Sequence, residues 1–162
     1  VGTDQLHPSL RSDPRVTVLE NTDVRDERLK TVISPQSVDV CVIDVSFISL
    51  RAVLPSVLPF LKTDAVIITL IKPQFEAGKA AVGKRGVVKD AKVHRRVLEE
   101  LSVFFGELGL STEALDFSPV TGGEGNIEFL AVLVYNHTKP PAMTVLSARD
   151  VVKKAHETLK GR

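Results

Sequence analysis

Two short and nearly uninterrupted aliphatic runs constrain the fold most strongly. They are "VDVCVID" at residues 38–44 and "AVIITLI" at residues 65–71; the first ends on Asp44 and the second is followed by Lys72. Runs of this length and composition are typical of parallel strands that are covered on both faces. Because ligands bind beyond the carboxyl ends of such strands, the sequence predicts that Asp44 and Lys72 lie close together at a functional edge.

Short β-rich segments alternate with longer amphipathic ones elsewhere in the chain. This alternation favours an α/β domain with a mostly parallel sheet and helices on both faces. Pro55 and Pro59 are expected to kink or break the first long helix. Further strands are predicted at residues 16–20, 127–135 and, more weakly, 111–117, and helices at residues 49–61, 91–108 and 147–160.

Composition sets outer limits on the class of protein. A length of 162 residues with 43% hydrophobic content suits one domain, and the net charge of +1 means that any basic binding surface must be local. We expect a domain at residues 1–138 and a connector with a C-terminal helix at residues 139–162. The single cysteine, Cys41, favours the reducing cytoplasm. No apolar run reaches the ~18 residues that a membrane span needs.

Two long glycine-bearing loops are candidates for function. They are "KPQFEAGKAAVGKRGVVKD" at residues 72–90 and "SPVTGGEGN" at residues 118–126. The first differs from a nucleotide phosphate loop because Arg85 stands where a hydroxyl residue should hold magnesium. Its cations Lys79, Lys84, Arg85 and Lys89 favour binding to nucleic acid phosphates, with a solvated charged loop as the alternative. His94, Arg95 and Arg96 extend this surface if the next helix faces the same way.

Glu128 is a third candidate for the functional edge. If the strand that follows the second loop is antiparallel, Glu128 lies at the same edge as Asp44 and Lys72, and three converging ionisable groups suit proton transfer. The structural alternatives are that Asp44 caps the helix beginning near Ser49, and that Lys72 is a strand-end lysine with a solvated ammonium. The four histidines are too scattered to predict a metal site.

The blocks "DVSFISL", "KPQFE" and "GNIEF" carry a family resemblance. With their flanking residues, from "VG" at the start to about Tyr135, they resemble the haemolysin A or TlyA family of ribosomal RNA ribose methyltransferases, within the FtsJ-like group. The resemblance implies a Rossmann-like methyltransferase sheet, mostly parallel with one antiparallel strand. It also implies S-adenosylmethionine as cofactor, ribosomal RNA as partner and a ribose 2′-hydroxyl as methyl acceptor.

By matching motifs, the resemblance implies roles for particular residues. Asp44, Lys72 and Glu128 correspond to catalytic positions, and Asp23 and Val24, together with Asp44, to cofactor-binding positions. A lysine with a depressed pKa can take the proton from a sugar hydroxyl, which is otherwise a poor nucleophile. Amino-group methyltransferases of similar fold often have prolines after the acid. Because "DVSF" lacks these prolines, a hydroxyl acceptor is favoured.

In the family, several features precede the segment matched here: the glycine-rich cofactor loop, an acid for the cofactor ribose, the first catalytic lysine and a small RNA-binding module. The resemblance therefore implies a truncated domain that is inactive alone. It also implies an exposed edge on the strand at residues 38–44. Either residues 16–20 are displaced, or a second copy or a missing segment covers this edge.

Two other functions are alternatives. The first is a non-catalytic RNA-binding or ribosome-assembly module that retains the fold and the basic loop. The second, suggested by the haemolysin name, is membrane lysis, which the sequence disfavours because it has neither a span nor a strongly amphipathic basic helix.

Overall fold

A computed structural model describes residues 3–138 and 147–159 of the chain. Within them, four strands form one sheet in the order β1-β2-β4-β3. Strand β1 pairs with β2 in parallel, and β4 pairs with both β2 and β3 in antiparallel orientation. The strands are β1 (Val38–Ile43), β2 (Leu61–Ile71), β3 (Leu110–Phe117) and β4 (Phe129–Tyr135).

The helices begin and end where local signals place them. The Asp90 carboxylate caps the longest helix by accepting the Lys92 N–H, and Gly109, with a φ of 74°, follows its end. The predicted helix at residues 49–61 ends at Val57 and tightens into a 3₁₀ turn at Leu58–Phe60, where Pro59 breaks it. The helices are α1 (Pro8–Arg11), α2 (Leu50–Val57), α3 (Pro73–Glu76), α4 (Ala91–Glu107) and α5 (Ala148–Leu159).

One face of the sheet forms the hydrophobic core. Ile67 and Ile71 of β2 and Phe129 and Leu133 of β4 are fully buried on this face. Burying a side chain of this size contributes roughly 1.5–3 kcal/mol. Helices α2, α4 and α5 contribute buried side chains to the same cluster, so α5 belongs to this core although it follows residues 139–146.

The other face of the sheet carries apolar side chains that contact solvent. Val40 and Val42 of β1 are 59% and 71% exposed; Ile68, the partner of Val42, and Leu130, the partner of Leu70, are exposed on the same face. Helix cover was expected on both faces. In the described part of the chain, the helices that contribute to the core all join the cluster on the first face.

The α/β class is confirmed, with one difference in the strand pairing. Strands β1, β2 and β3 run in the same direction and β4 runs against them, as the prediction of one antiparallel strand requires. Because β4 lies between β2 and β3, however, only one of the three pairings is parallel.

Residues 16–20 form no strand, so that prediction is wrong. Among the residues that the structure describes, strand β1 pairs only with β2, and no other strand covers its outer edge. Cover of this edge by a second copy stays a prediction. The boundary at residue 138 also stays a prediction, because residues 139–146, where the predicted connector begins, lie outside the described residues.

Candidate active site

Asp44 and Lys72 meet at the carboxyl ends of the two parallel strands. Asp44 directly follows β1 and Lys72 directly follows β2. The Lys72 Nζ donates to Asp44 Oδ1 at 2.7 Å and to Ser46 Oγ at 3.0 Å. The Lys72 side chain is 13% exposed and the Asp44 side chain 66% exposed. The strand ends therefore hold a mostly buried amine against a solvent-facing carboxylate.

The capping role considered for Asp44 belongs to other residues. Ser49 caps α2 by accepting the Arg51 N–H at 3.1 Å. Glu76 accepts the Leu50 N–H at 2.7 Å and the Ser49 hydroxyl at 2.6 Å. Glu76 thus ties the segment that follows Lys72 to the segment that follows Asp44. The two loops that carry the candidate residues are fixed relative to each other.

Glu128 lies at the same edge of the sheet, as an antiparallel strand requires. Ile71 pairs with Phe129, so Glu128 stands at the position across from Lys72. Glu128 is buried, and its Oε1 accepts a hydrogen bond from Gln74 Nε2 at 3.3 Å. Among the residues that the structure describes, no ion pair joins Glu128 to Lys72. A Cβ atom on Gly122 would collide with Oε1 of Glu128, so a side chain at this position would require the Glu128 carboxylate to move.

A cleft of about 720 Å³ contains both the Asp44–Lys72 pair and the predicted cofactor residues. Asp23 and Val24 line it together with Asp44 and Lys72, whereas Glu128 does not. This volume is in the range of cofactor sites. We call it the Asp44–Lys72 cleft; it is lined by Gln5, Thr22, Asp23, Val24, Asp44, Val45, Ser46, Phe47, Ile48, Val53 and Lys72.

Asp23 is held as a carboxylate by its neighbour. Its oxygens accept bonds from the Arg25 Nε at 2.9 Å, the Arg25 Nη2 at 2.7 Å and the Arg25 backbone N–H at 2.8 Å. These charge-assisted bonds lower the pKa of Asp23 well below its usual range. Asp23 is therefore an acceptor at neutral pH.

Phe47 is a residue of the cleft that sequence reasoning did not identify. It is 80% exposed, and its ring lies 5.1 Å from that of Phe75 at an angle of 48°. Its φ of 64° is in the left-handed region, which costs a side chain of this size roughly 1–2 kcal/mol. Strained residues of this kind concentrate at functional sites. The sequence signal that could have identified Phe47 is the presence of an aromatic residue in the turn that follows β1.

Three of the four predicted RNA-binding residues share one surface. Lys84, Arg85 and Lys89 line a cleft of about 390 Å³, whereas Lys79 lines a separate cleft with Gln74 and Phe75. We call residues 79–89 the basic loop.

Asn126 joins the basic loop to the glycine-bearing loop at residues 118–126. Its side chain is buried, and its Oδ1 accepts the Val88 N–H at 3.1 Å. Its Nδ2 donates to the carbonyls of Gly86 at 3.0 Å and Gly123 at 3.1 Å. Sequence reasoning did not identify Asn126, because its partners lie up to 40 residues away.

His94 is not part of the basic surface that the sequence suggested. It is fully buried in α4; one ring nitrogen lies 3.1 Å from the Val88 carbonyl and the other 2.9 Å from Nε2 of His156. Within residues 3–138 and 147–159, no group of histidines, cysteines and acids is arranged to hold a metal ion. In the same residues, no helix is long and apolar enough to cross a membrane.

Comparison with known proteins places this arrangement in a family. The "FtsJ-like methyltransferase" family model matches residues 1–135. "16S/23S rRNA (cytidine-2'-O)-methyltransferase TlyA" of Mycobacterium tuberculosis is 42% identical over 133 residues, which cover 80% of this chain and 47% of that protein. "Putative rRNA methyltransferase YqxC" of Bacillus subtilis is 41% identical over 162 residues, covering 99% of this chain and 57% of that protein.

A solved structure has the same fold. "Putative hemolysin from Streptococcus thermophilus" superposes with a TM-score of 0.85 at 40% identity, covering 98% of this chain and 57% of that one. The chain spans about half the length of the curated relatives it matches. Because the family model matches most of the chain, and relatives of more than 40% identity and a solved structure agree with it, this chain belongs to the FtsJ-like methyltransferase family.

Proposed function

We propose that this chain supplies the reacting centre of a ribosomal RNA 2′-O-methyltransferase that uses S-adenosylmethionine. The observation that carries the proposal is the Lys72–Asp44 contact of 2.7 Å inside a cleft of cofactor size. The name of TlyA specifies a cytidine 2′-hydroxyl in 16S and 23S rRNA for that protein. An enzyme with a ribosomal substrate would act in the cytoplasm.

The residues of the Asp44–Lys72 cleft fit an adenosyl cofactor. Val24 offers an apolar contact for a nucleobase, and the ionised Asp23 offers an acceptor for an exocyclic amine. Asp44 presents a solvent-facing carboxylate to the cationic end of the molecule. When bound, S-adenosylmethionine would supply an activated methyl group.

Lys72 is the proposed general base. After its ammonium has lost a proton to solvent, the Lys72 amine would accept the proton of the 2′-hydroxyl as the hydroxyl oxygen gains the methyl group and the bond between that methyl group and the cofactor sulfur breaks. Asp44 and Ser46 both contact Nζ, so they fix the position of the amine, and the Asp44 charge stabilises the ammonium that forms. Positioning a weak nucleophile in this way supplies a large part of an enzymatic rate.

Glu128 and Phe47 are proposed to orient the nucleotide. Gln74 and the close approach of Gly122 hold the Glu128 carboxylate at the edge across from Lys72, where it could accept a hydrogen bond from a ribose hydroxyl. The exposed Phe47 ring at the cleft offers a platform on which a nucleobase can stack.

The basic loop is proposed to position the RNA without reading its sequence. Lys79, Lys84, Arg85 and Lys89 have no carboxylate partner among the described residues. Contacts from such side chains to phosphates fix the register of a nucleic acid but carry no sequence information.

The decisive experiment determines which atom of the rRNA receives the methyl group. In a hybrid, this chain replaces the matching segment of TlyA from Mycobacterium tuberculosis. The hybrid is incubated with S-adenosylmethionine and ribosomal subunits that lack the modification, and the rRNA is digested to nucleosides for mass spectrometry. The proposal predicts a 2′-O-methyl ribonucleoside. A folded hybrid that binds RNA and transfers no methyl group would favour a non-catalytic module, and a base-methylated product would contradict the assigned acceptor.

A further inference from the structure

A groove between α4 and α5 concentrates positive charge outside the candidate active site. It has a volume of about 330 Å³ and lies where both helices begin. Asp90 and Ala91, consecutive in the chain, line the cleft of the basic loop and this groove respectively, so the two surfaces adjoin. We call it the α4–α5 groove; it is lined by Ala91, Lys92, Arg95, Arg149, Val152, Lys153, His156 and Glu157.

Helical spacing places the cations of the groove on two facing stripes. Lys92 and Arg95 are three residues apart on α4, and Arg149 and Lys153 are four residues apart on α5, so each pair lies on one side of its helix. The hydrogen bond of 2.9 Å between His94 and His156 holds the two helices together at this level. The groove is therefore built by the core of the domain.

The distribution of ion pairs distinguishes the α4–α5 groove from most of the surface. Most Lys and Arg side chains of the described residues have a carboxylate partner, including Arg95, which lies 3.6 Å from Glu99. Those without a partner in residues 3–138 and 147–159 lie in the basic loop or in the α4–α5 groove. They are Lys79, Lys84, Arg85, Lys89, Lys92, Arg149 and Lys153.

Two of these cations lie where the helix macrodipole disfavours positive charge. Lys92 and Arg149 each lie in the first turn of their helix, where the macrodipole favours negative charge. An anion bound between the helix starts would offset this repulsion and meet both side chains. The carboxylate in the lining, Glu157, is about 12 Å along α5 from Arg149. Asp90, which caps α4, and Asp150, in the first turn of α5, lie outside the lining.

We propose that the α4–α5 groove binds RNA phosphates and extends the phosphate track of the basic loop. The inference rests on the proposed function, because an RNA substrate is what would occupy the adjoining loop. The lining contains no Phe, Tyr or Trp on which a base could stack, so the contacts are to the backbone and do not depend on sequence.

The test uses fluorescence anisotropy of a fluorescein-labelled oligouridylate titrated with this chain at several KCl concentrations. The triple variant Lys92→Glu, Arg149→Glu, Lys153→Glu should bind roughly tenfold more weakly or worse, and the slope of log K against log salt should fall by about 0.7 for each phosphate that the variant no longer neutralises. Two of these changes put an acid in a first turn, which helices tolerate well. If circular dichroism shows that the triple variant is not folded, Lys153→Glu alone is compared.

Lys154→Glu is the matched control. Lys154 follows Lys153 in α5 but turns to Asp116, which it contacts at 3.2 Å, and to the Phe117 ring. This change should alter the slope much less than Lys153→Glu. Equal effects of Lys153→Glu and Lys154→Glu, or an unchanged slope in a folded groove variant, would overturn the groove proposal.

The groove proposal and the active-site proposal can be contradicted by separate measurements. Lys72→Ala should leave oligouridylate binding intact and remove methyl transfer, whereas the groove variants should raise KM for RNA and leave kcat unchanged. Loss of kcat in a groove variant with unchanged RNA affinity would contradict the groove proposal. It would leave the roles of Lys72 and Asp44 unaffected.

Discussion

The Lys72 ammonium donates a hydrogen bond of 2.7 Å to the Asp44 carboxylate across the ends of β1 and β2. A second pair of the same kind and length, Lys62 with Asp39, joins the same two strands at their other end. The Lys62 side chain is 46% exposed, against 13% for Lys72. The two pairs share chemistry and distance but differ in burial and in access to a cleft, so each provides a control for the other.

Removal of the Asp44 charge should stop methyl transfer without unfolding the domain. Asp44→Asn keeps the shape and a hydrogen-bond acceptor for Lys72 but loses the charge that stabilises the ammonium. We expect kcat of the hybrid enzyme to fall by about 10²–10⁴-fold, the usual contribution of general acid–base catalysis. Asp39→Asn should leave kcat unchanged. Tritium transfer to rRNA measures both, and comparable losses in the two variants would argue against a special role for Asp44.

Gly122 is expected to be required for the position of Glu128. Gly122→Ala would push a methyl group into the Glu128 carboxylate, although its φ of −72° suits alanine, so the effect comes from the collision. The next residue provides the control, because a Cβ on Gly123 has open space around it. Gly122→Ala should lower methyl transfer at unchanged RNA affinity, and Gly123→Ala should not. Equal activities would show that Glu128 tolerates displacement.

Asn126→Ala should loosen the basic loop and destabilise the domain. The substitution leaves the buried Val88 N–H without its acceptor, at a cost of about 1–3 kcal/mol in the free energy of unfolding. Asn126→Asp keeps that acceptor and removes the two bonds to the carbonyls of Gly86 and Gly123. Urea denaturation and amide exchange at Val88 should distinguish the variants. Fast exchange at Val88 in Asn126→Asp would contradict the assigned contact.

His94 should make the domain less stable in mild acid. The Val88 carbonyl can only accept, so Nε2 of His94 carries the proton and Nδ1 accepts from His156. Burial, and then the charge of His156, lower the pKa of His94 to about 4, while the hydrogen bond to the Val88 carbonyl and then the charge of Asp90 act in the opposite direction. Between pH ~6.5 and 4, His94 binds a proton in the unfolded state but not in the folded state. The free energy of unfolding therefore falls as pH falls.

The size of this effect is up to about 3 kcal/mol, since each unit of pKa difference corresponds to ~1.4 kcal/mol. His94→Gln removes the titrating ring and keeps a donor for the Val88 carbonyl. The urea midpoint of the native chain should decline from pH 7 to 4 more steeply than that of the variant. Parallel curves would mean that His94 does not control the decline.

The sequence was sufficient to predict that Asp44 and Lys72 lie together but not the contacts that fix their positions. The aliphatic runs determine β1 and β2, and the rule that parallel strands end at one edge brings Asp44 to Lys72. The capping of α2 by Glu76 and the bonds from Asn126 to Val88 and Gly86 join residues 26 to 40 positions apart. No local pattern encodes such partners, which become visible only when the chain is folded.

The wrong strand prediction at residues 16–20 has a related cause. "VTVLE" has the composition of a strand, but a strand exists only when a neighbour pairs with it. Within residues 3–138 and 147–159, strand β1 pairs with β2 alone, so residues 16–20 do not extend the sheet at its other edge. His94 was similarly misplaced on a basic surface because Arg95 and Arg96 follow it, although its spacing to Val97 and Leu101 matches the buried face of α4. Its burial depends on contacts with Val88 and His156.

The most direct test of the account is the rate at which the hybrid enzyme transfers a tritiated methyl group to rRNA when Lys72 is replaced. Lys72→Ala is expected to abolish transfer while binding of S-adenosylmethionine, measured by calorimetry, persists. Lys62→Ala, which breaks the other lysine–aspartate pair between the same strands, should retain the full rate. A Lys72→Ala enzyme that still methylates the ribose at the rate of the Lys62→Ala control would contradict the assignment of Lys72 as the base.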